Sequence, residues 1–129
     1  MNIDEARQRI TLAIRQLERV QAAEFGNDPE SAVMWGFYAY ENCVTALAAR
    51  YGRRWTQNHR EKAELARRLY QDGLVSRDVG DELEELNRLR KDVAYDGPGP
   101  ELEEKDLYTL AYELEEFIVE VDSLIGSST

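Results

Sequence analysis

Apolar residues recur along the chain every three or four positions, the spacing of one helix face, and nowhere in the two-residue rhythm of a strand. In the first segment Ile3, Ala6, Ile10, Ile14 and Leu17 form a stripe that predicts a helix running to about Ala23. Gly26-Asn27-Asp28-Pro29 ends it. Asp28 is the expected N-cap of a second helix, with Pro29 at its first position, where a lost amide donor does no harm. Val33, Phe37, Tyr40, Val44, Leu47 and Tyr51 give that helix a continuous apolar face, widened by Trp35 and Tyr38, so it should form the centre of the core. Gly52 stops it, and a basic loop through Trp55 leads to a third helix near Asn58 to Gln71, with Leu65, Ala66 and Leu69 inward and a terminator at Asp72-Gly73.

Ser76 is the expected N-cap of a fourth helix carrying Val79, Leu83, Leu86, Leu89 and Val93. That helix must end by Gly97, because the run Asp96-Gly97-Pro98-Gly99-Pro100 removes amide donors and restricts the residues before each proline. The last predicted helix, from about Glu101 to Ile125, has the longest apolar face, Leu107 to Ile125. The pattern is all-α: an up-and-down bundle of four to five helices, a single domain over 1–125 with 126–129 as a disordered tail.

Composition narrows the function classes. The chain has 129 residues, room for one domain, and a formal charge of −10, which excludes a surface that coats nucleic acid throughout. The charge is unevenly spread. Residues 1–49 hold 4 basic and 7 acidic groups, 50–91 hold 11 and 8, and 92–129 hold 1 and 11, so any phosphate contact belongs to the middle third. One cysteine, Cys43, and one histidine, His59, exclude an internal disulfide, a cysteine-rich metal site and a histidine cluster. Neither Glu61 nor Glu64 forms a Glu-x-x-His carboxylate site with His59, so no metal and no cofactor is expected. The charged, amphipathic start MNIDEARQRI lacks the apolar core of a signal peptide, and the stretch Ser31 to Ala49 is interrupted by Glu41 and is too poor in apolar residues to span a bilayer; a cytoplasmic protein with no membrane contact is expected.

The informative stretch runs from Glu84 to Gly97. Counted from Val79, position 90 falls with 83, 86 and 93, so Arg90 lies on or beside an apolar stripe, where a guanidinium needs a partner or a cleft. Asn87 one turn before it and Ala94 one turn after make a polar notch, and Tyr95 follows at the helix end. Glu41 and Asn42 are polar residues within the most apolar helix; Glu41 is expected to pair with Arg90 and orient it, or to form a structural ion pair. His59 reads as a helix-start histidine in an interhelical hydrogen bond, and spacing does not place it beside Arg90.

Arg90-Lys91-Asp92-Val93-Ala94-Tyr95-Asp96-Gly97 resembles the signature of the HEPN superfamily of small helical bundles, an arginine followed after four to six residues by a histidine before a polar loop. Tyr95 stands where that histidine would be, and Arg88 fits the longer spacing. The aromatic second helix, the His59 region and the terminal Glu-Glu-Phe-Ile-Val sequence fit the same order. The resemblance implies a homodimer, or a complex with a minimal nucleotidyltransferase partner, in which the motifs face one cleft. It implies RNA or nucleotide phosphate held by Asn87, Arg88, Arg90 and Lys91, with Arg90, Asp92 and Tyr95 at the reacting position and Glu41 and Asn42 orienting them. Many such proteins are metal-independent endoribonuclease toxins of toxin–antitoxin or defence systems. A tyrosine, with a pKa near 10, is a weak proton acceptor at neutral pH, so turnover is left open. The rival expectation is a non-catalytic, antitoxin-like or adaptor module that docks a basic protein on its acidic last helix, rich in Glu113, Glu115, Glu116 and Glu120.

Overall fold

Five of the six helices among the described residues begin where a short polar side chain can satisfy an orphan amide. The computed structural model describes residues 1–96 and 99–126, the side chains of 94–96 excepted. Helix α1, Ile3–Phe25, starts at Asn2, whose side chain accepts from the Glu5 amide at 3.0 Å, and Asp4 and Glu5 place negative charge at the positive end of the helix dipole. Its buried stripe is Ala6, Ile10, Ala13, Leu17 and Val20; Ile14 lies at the edge, 37% exposed, because Ala13 takes the inward position.

Helix α2, Pro29–Tyr51, follows the predicted cap: Asp28 accepts from the Ser31 amide at 3.2 Å. It ends at Gly52, whose φ of 69° is the left-handed conformation glycine adopts without a Cβ penalty. Val33, Phe37, Tyr40, Val44 and Leu47 are all at most 1% exposed, and α2 touches every other helix. It is the axis of the bundle. Helix α3, His59–Gln71, is capped by Asn58 and stops where Gly73 takes φ 75°.

The fourth helix starts later than expected. Helix α4 spans Gly80–Asp96, and Asp78 rather than Ser76 serves its first turn, accepting from the Gly80 amide at 2.9 Å. Ser76 is turned the other way: its amide and hydroxyl both donate to Glu120 at 2.7 Å. The segment expected as one final helix is two. Helix α5, Pro100–Glu103, is one turn anchored by buried Leu102, and α6, Leu107–Gly126, restarts because Asp106 accepts from both the amide and the hydroxyl of Thr109, at 3.1 and 2.8 Å. The bundle therefore has six helices among the described residues, not four to five, and all regular structure there is helical. Gly126 closes α6 instead of opening the tail, and the expected tail residues 127–129 lie outside the described residues. Among the described residues no helix is long and apolar enough to cross a membrane.

Buried side chains from all six helices form one core, dominated by the α1–α2 packing and closed by α4 and α6. Because α3 and α4 both lean on α2, their facing sides leave a groove at the surface.

Candidate phosphate-binding groove

Glu41 sets the geometry of this groove. It is a carboxylate one turn after Phe37 on the most apolar helix and only 6% exposed, so its charge must find partners inside the protein. Both come from the first turn of α3. His59 Nδ1 stands 2.6 Å from Glu41 Oε2, and the Nζ of buried Lys62 is 3.7 Å from Oε1. A carboxylate accepts only, so Nδ1 carries the hydrogen of this contact. The pairing of Glu41 with Arg90 does not form, because α3 occupies the carboxylate first. Asn42 faces the opposite way: it accepts from Arg9 at 3.4 Å and donates to Gln16 at 2.9 Å, both on α1. It therefore does not orient Arg90.

Arg90 occupies the polar notch the spacing predicts. Its Nη2 donates to Asn87 Oδ1 at 2.7 Å, three residues earlier on α4, and its guanidinium carbon lies 4.9 Å from the Phe37 ring centre and 5.9 Å from that of Tyr38. The Nε is buried without a hydrogen-bond partner among the described residues. The other side chains expected around it are not gathered on it. Arg88 is exposed and committed to Glu101 and, at 3.7 Å, to Asp92, and Glu101 raises its affinity for its proton. Tyr95, the residue at the motif's histidine position, lies outside the described side chains.

The groove between α3 and α4 has a volume of about 520 Å³, within the ~300–1,000 Å³ of small-molecule sites. His59, Arg60, Asn87, Arg88, Lys91 and Asp92 open onto it, with Ala63 and Leu83 as its floor. Each of its acidic members has an arginine partner, though Arg67 and Arg88 are each shared by more than one carboxylate. Arg67, itself only partly exposed, holds Glu64 at 2.9 Å, Glu84 at 2.8 Å and, beyond the groove, Asp81 at 2.7 Å; Asp92 is taken by Arg88. Arg60 and Lys91 remain exposed and without an ion-pair partner among the described residues. The groove thus offers two uncompensated cations, an amide side chain and an oriented imidazole, a set suited to a phosphate.

His59 and Arg60 are the groove residues that spacing does not join to Arg90. The signal available for them was Glu41, a carboxylate on an apolar face that must be met by a donor from another helix. No group of three or more histidine, cysteine, aspartate or glutamate side chains able to hold a metal occurs among the described residues.

The chain matches the family model for the HEPN domain over residues 6–124, from the first turn of α1 to the last of α6. No curated protein matches it. With a match that takes in nearly the whole helical bundle, the chain belongs to the HEPN domain family.

Proposed function

We propose that the protein binds RNA or a nucleotide by its phosphates in the α3/α4 groove, as the RNA-handling member of a toxin–antitoxin or defence system. The observation that carries this reading is the pair of uncompensated cations, Arg60 and Lys91, beside Asn87 and His59 in a groove whose acidic residues are bound to arginines. The protein's charge of −10 confines polyanion binding to such a local patch. Arg90, one turn from the groove's Asn87 and bonded to it, is a further phosphate ligand in this reading, with Asp92 and Tyr95 as the motif's other members in the sequence. Arg88 contributes once a phosphate competes with Glu101. HEPN domains often act as dimers, and the working unit proposed here is a homodimer, or a complex with a minimal nucleotidyltransferase, that brings two such grooves or one groove and a second active site together.

Fluorescence anisotropy with single-stranded RNA and with a free nucleotide, at stepped salt concentrations, tests the reading. Saturable, salt-sensitive binding that weakens in Lys91→Ala and in Arg90→Ala supports it. Equal signals from the wild type and both variants at low salt dismiss it.

A second reading is favoured by the outer face of α6. Tyr108 and Tyr112 are 68% and 54% exposed with stacked rings 6.2 Å apart, and Val119 lies further along the same helix, 63% exposed among glutamates. Such a face suits a non-catalytic adaptor that docks a basic protein. A stable, salt-sensitive protein complex lost in Tyr112→Ala, with no RNA binding, selects this reading over the first.

A further inference from the structure

We infer that a second pocket, between α2 and α4, binds a small zwitterion with an apolar body, the chemistry of a free amino acid with a large hydrophobic side chain. The pocket has a volume of about 310 Å³ and is lined, among the described residues, by Glu30, Ser31, Met34 and Tyr38 of α2 and by Arg90 and Val93 of α4. That is the low end of the ~300–1,000 Å³ of small-molecule sites, room for a molecule of amino-acid size. The inference goes beyond the phosphate reading: it shares Arg90 with that reading but needs no RNA to bind.

Three observations point to the chemistry of the occupant. The first is the state of Arg90. Its guanidinium lies against the rings of Phe37 and Tyr38 and donates to Asn87, yet among the described residues it has no carboxylate partner, and its Nε is buried with nothing to donate to. A guanidinium has five N–H donors, so this one is fixed in place with donors left over, an arrangement that receives a carboxylate. The second is Glu30. It is the other charged residue of the lining, is exposed, and likewise has no ion-pair partner among the described residues. The two opposite charges share one pocket without pairing with each other, so a ligand carrying both signs meets each with its complement. Glu30 also disfavours an occupant with two or more negative charges, which separates this pocket from the cationic groove between α3 and α4. The third is the wall between the charges. Met34, Val93 and the ring of Tyr38 are apolar; Tyr38 is braced by Trp35 and Phe37, with ring centres 6.3 and 5.6 Å away, and Met34 adapts to side chains of differing shape. The amide and hydroxyl hydrogens of Ser31 are both committed to Asp28, so Ser31 offers the ligand no free donor.

Isothermal titration calorimetry of the full chain tests this with leucine, with isocaproate, which lacks the ammonium, and with isoamylamine, which lacks the carboxylate. Leucine is expected to bind saturably at millimolar concentration, and each single-charge analogue ~10–100-fold more weakly, the worth of one hydrogen bond to a charged group. Glu30→Gln, at an exposed position, should erase the preference for leucine over isocaproate, and Arg90→Met the preference over isoamylamine. Circular dichroism checks that each variant keeps its helices. Isocaproate bound by the wild type as tightly as leucine, or an undiminished preference for leucine over isocaproate in Glu30→Gln, overturns the inference. So does the absence of saturable binding by leucine, methionine and phenylalanine alike, or displacement of leucine by inorganic phosphate. None of these outcomes touches the RNA reading, which is tested by anisotropy with no amino acid present.

Discussion

His59 and Arg90 rest against the same ring. The imidazole meets Phe37 edge-on with centroids 5.0 Å apart, and the Arg90 guanidinium carbon lies 4.9 Å from that ring's centre. Two helices that contribute no side-chain bond to each other at this point are thereby registered through a residue of a third. Phe37 is 1% exposed, so it is at once a core residue and the spacer between the two polar groups.

Replacing Phe37 by leucine keeps an apolar filler and should destabilise the fold by ~1–2 kcal/mol, against ~3–5 for alanine. The cation–π contact adds ~0.5–2 kcal/mol of coupling between Arg90 and the ring. A double-mutant cycle of Phe37→Leu and Arg90→Met by urea unfolding measures it; strictly additive effects would mean that the ring does not hold the guanidinium.

Glu41 and Lys62 are both buried, so removing one partner strands the other charge. Glu41→Leu should cost about 3–5 kcal/mol, and Glu41→Leu with Lys62→Met should recover most of it, because the leftover ammonium is what destabilises. Equal stability of the single and double variants in denaturant would show that the lysine already reaches water.

The caps give the chain an acid-side dependence. Asp28 and Asp106 are held below the usual carboxylate range by hydrogen bonds from Ser31 and Thr109 respectively. For a carboxyl whose pKa is lower folded than unfolded, the stabilisation is complete above the unfolded value, ~3.9, and drains away as pH falls through the lower, folded one. Asp28→Asn should therefore flatten the fall in Tm below pH ~4 while remaining capped at neutral pH. Glu82 runs the opposite way: burial raises its pKa, so its contribution improves as pH falls from neutral towards the unfolded carboxylate value. A Tm profile in which Glu82→Gln gains stability at pH 7 relative to pH 5 would agree with that sign.

Arg60, Lys91 and Arg90 set the expected salt response. For single-stranded RNA the slope of log affinity against log salt should be about −2.1, at ~0.7 per phosphate neutralised, and Lys91→Ala or Arg60→Ala should each reduce it to about −1.4. A slope unchanged in both variants would move the binding surface elsewhere on the protein.

Much of this was legible in the residue order, and what escaped it has a common cause. The helices from Ile3, Pro29 and His59 follow from caps and stripes, since those are local: Asp28 and Asn58 act within three residues of their own position. The Arg90–Asn87 contact is likewise a one-turn relation on a single helix. Ser76 misled because it is a good cap by type, yet Glu120, 44 residues away, claims it. Asp106 was hidden among the charged residues just before the apolar face that starts at Leu107, a stretch that reads as one helix from Glu101. The partner of Glu41 depends on which helix reaches the carboxylate first, a matter of tertiary packing that periodicity does not encode.

Arg67 does not itself line the groove, yet it tempers the negative charge of the wall that a polyanion meets on approach. By binding Glu64 and Glu84 it screens the negative members of one wall, and its own charge is secured by Glu84 and Asp81. Loss of this side chain would leave Glu64 and Glu84 on that wall without their cation. Affinity in this fold is therefore governed partly from the rim, by a residue whose substitution would pass for damage to the binding surface itself.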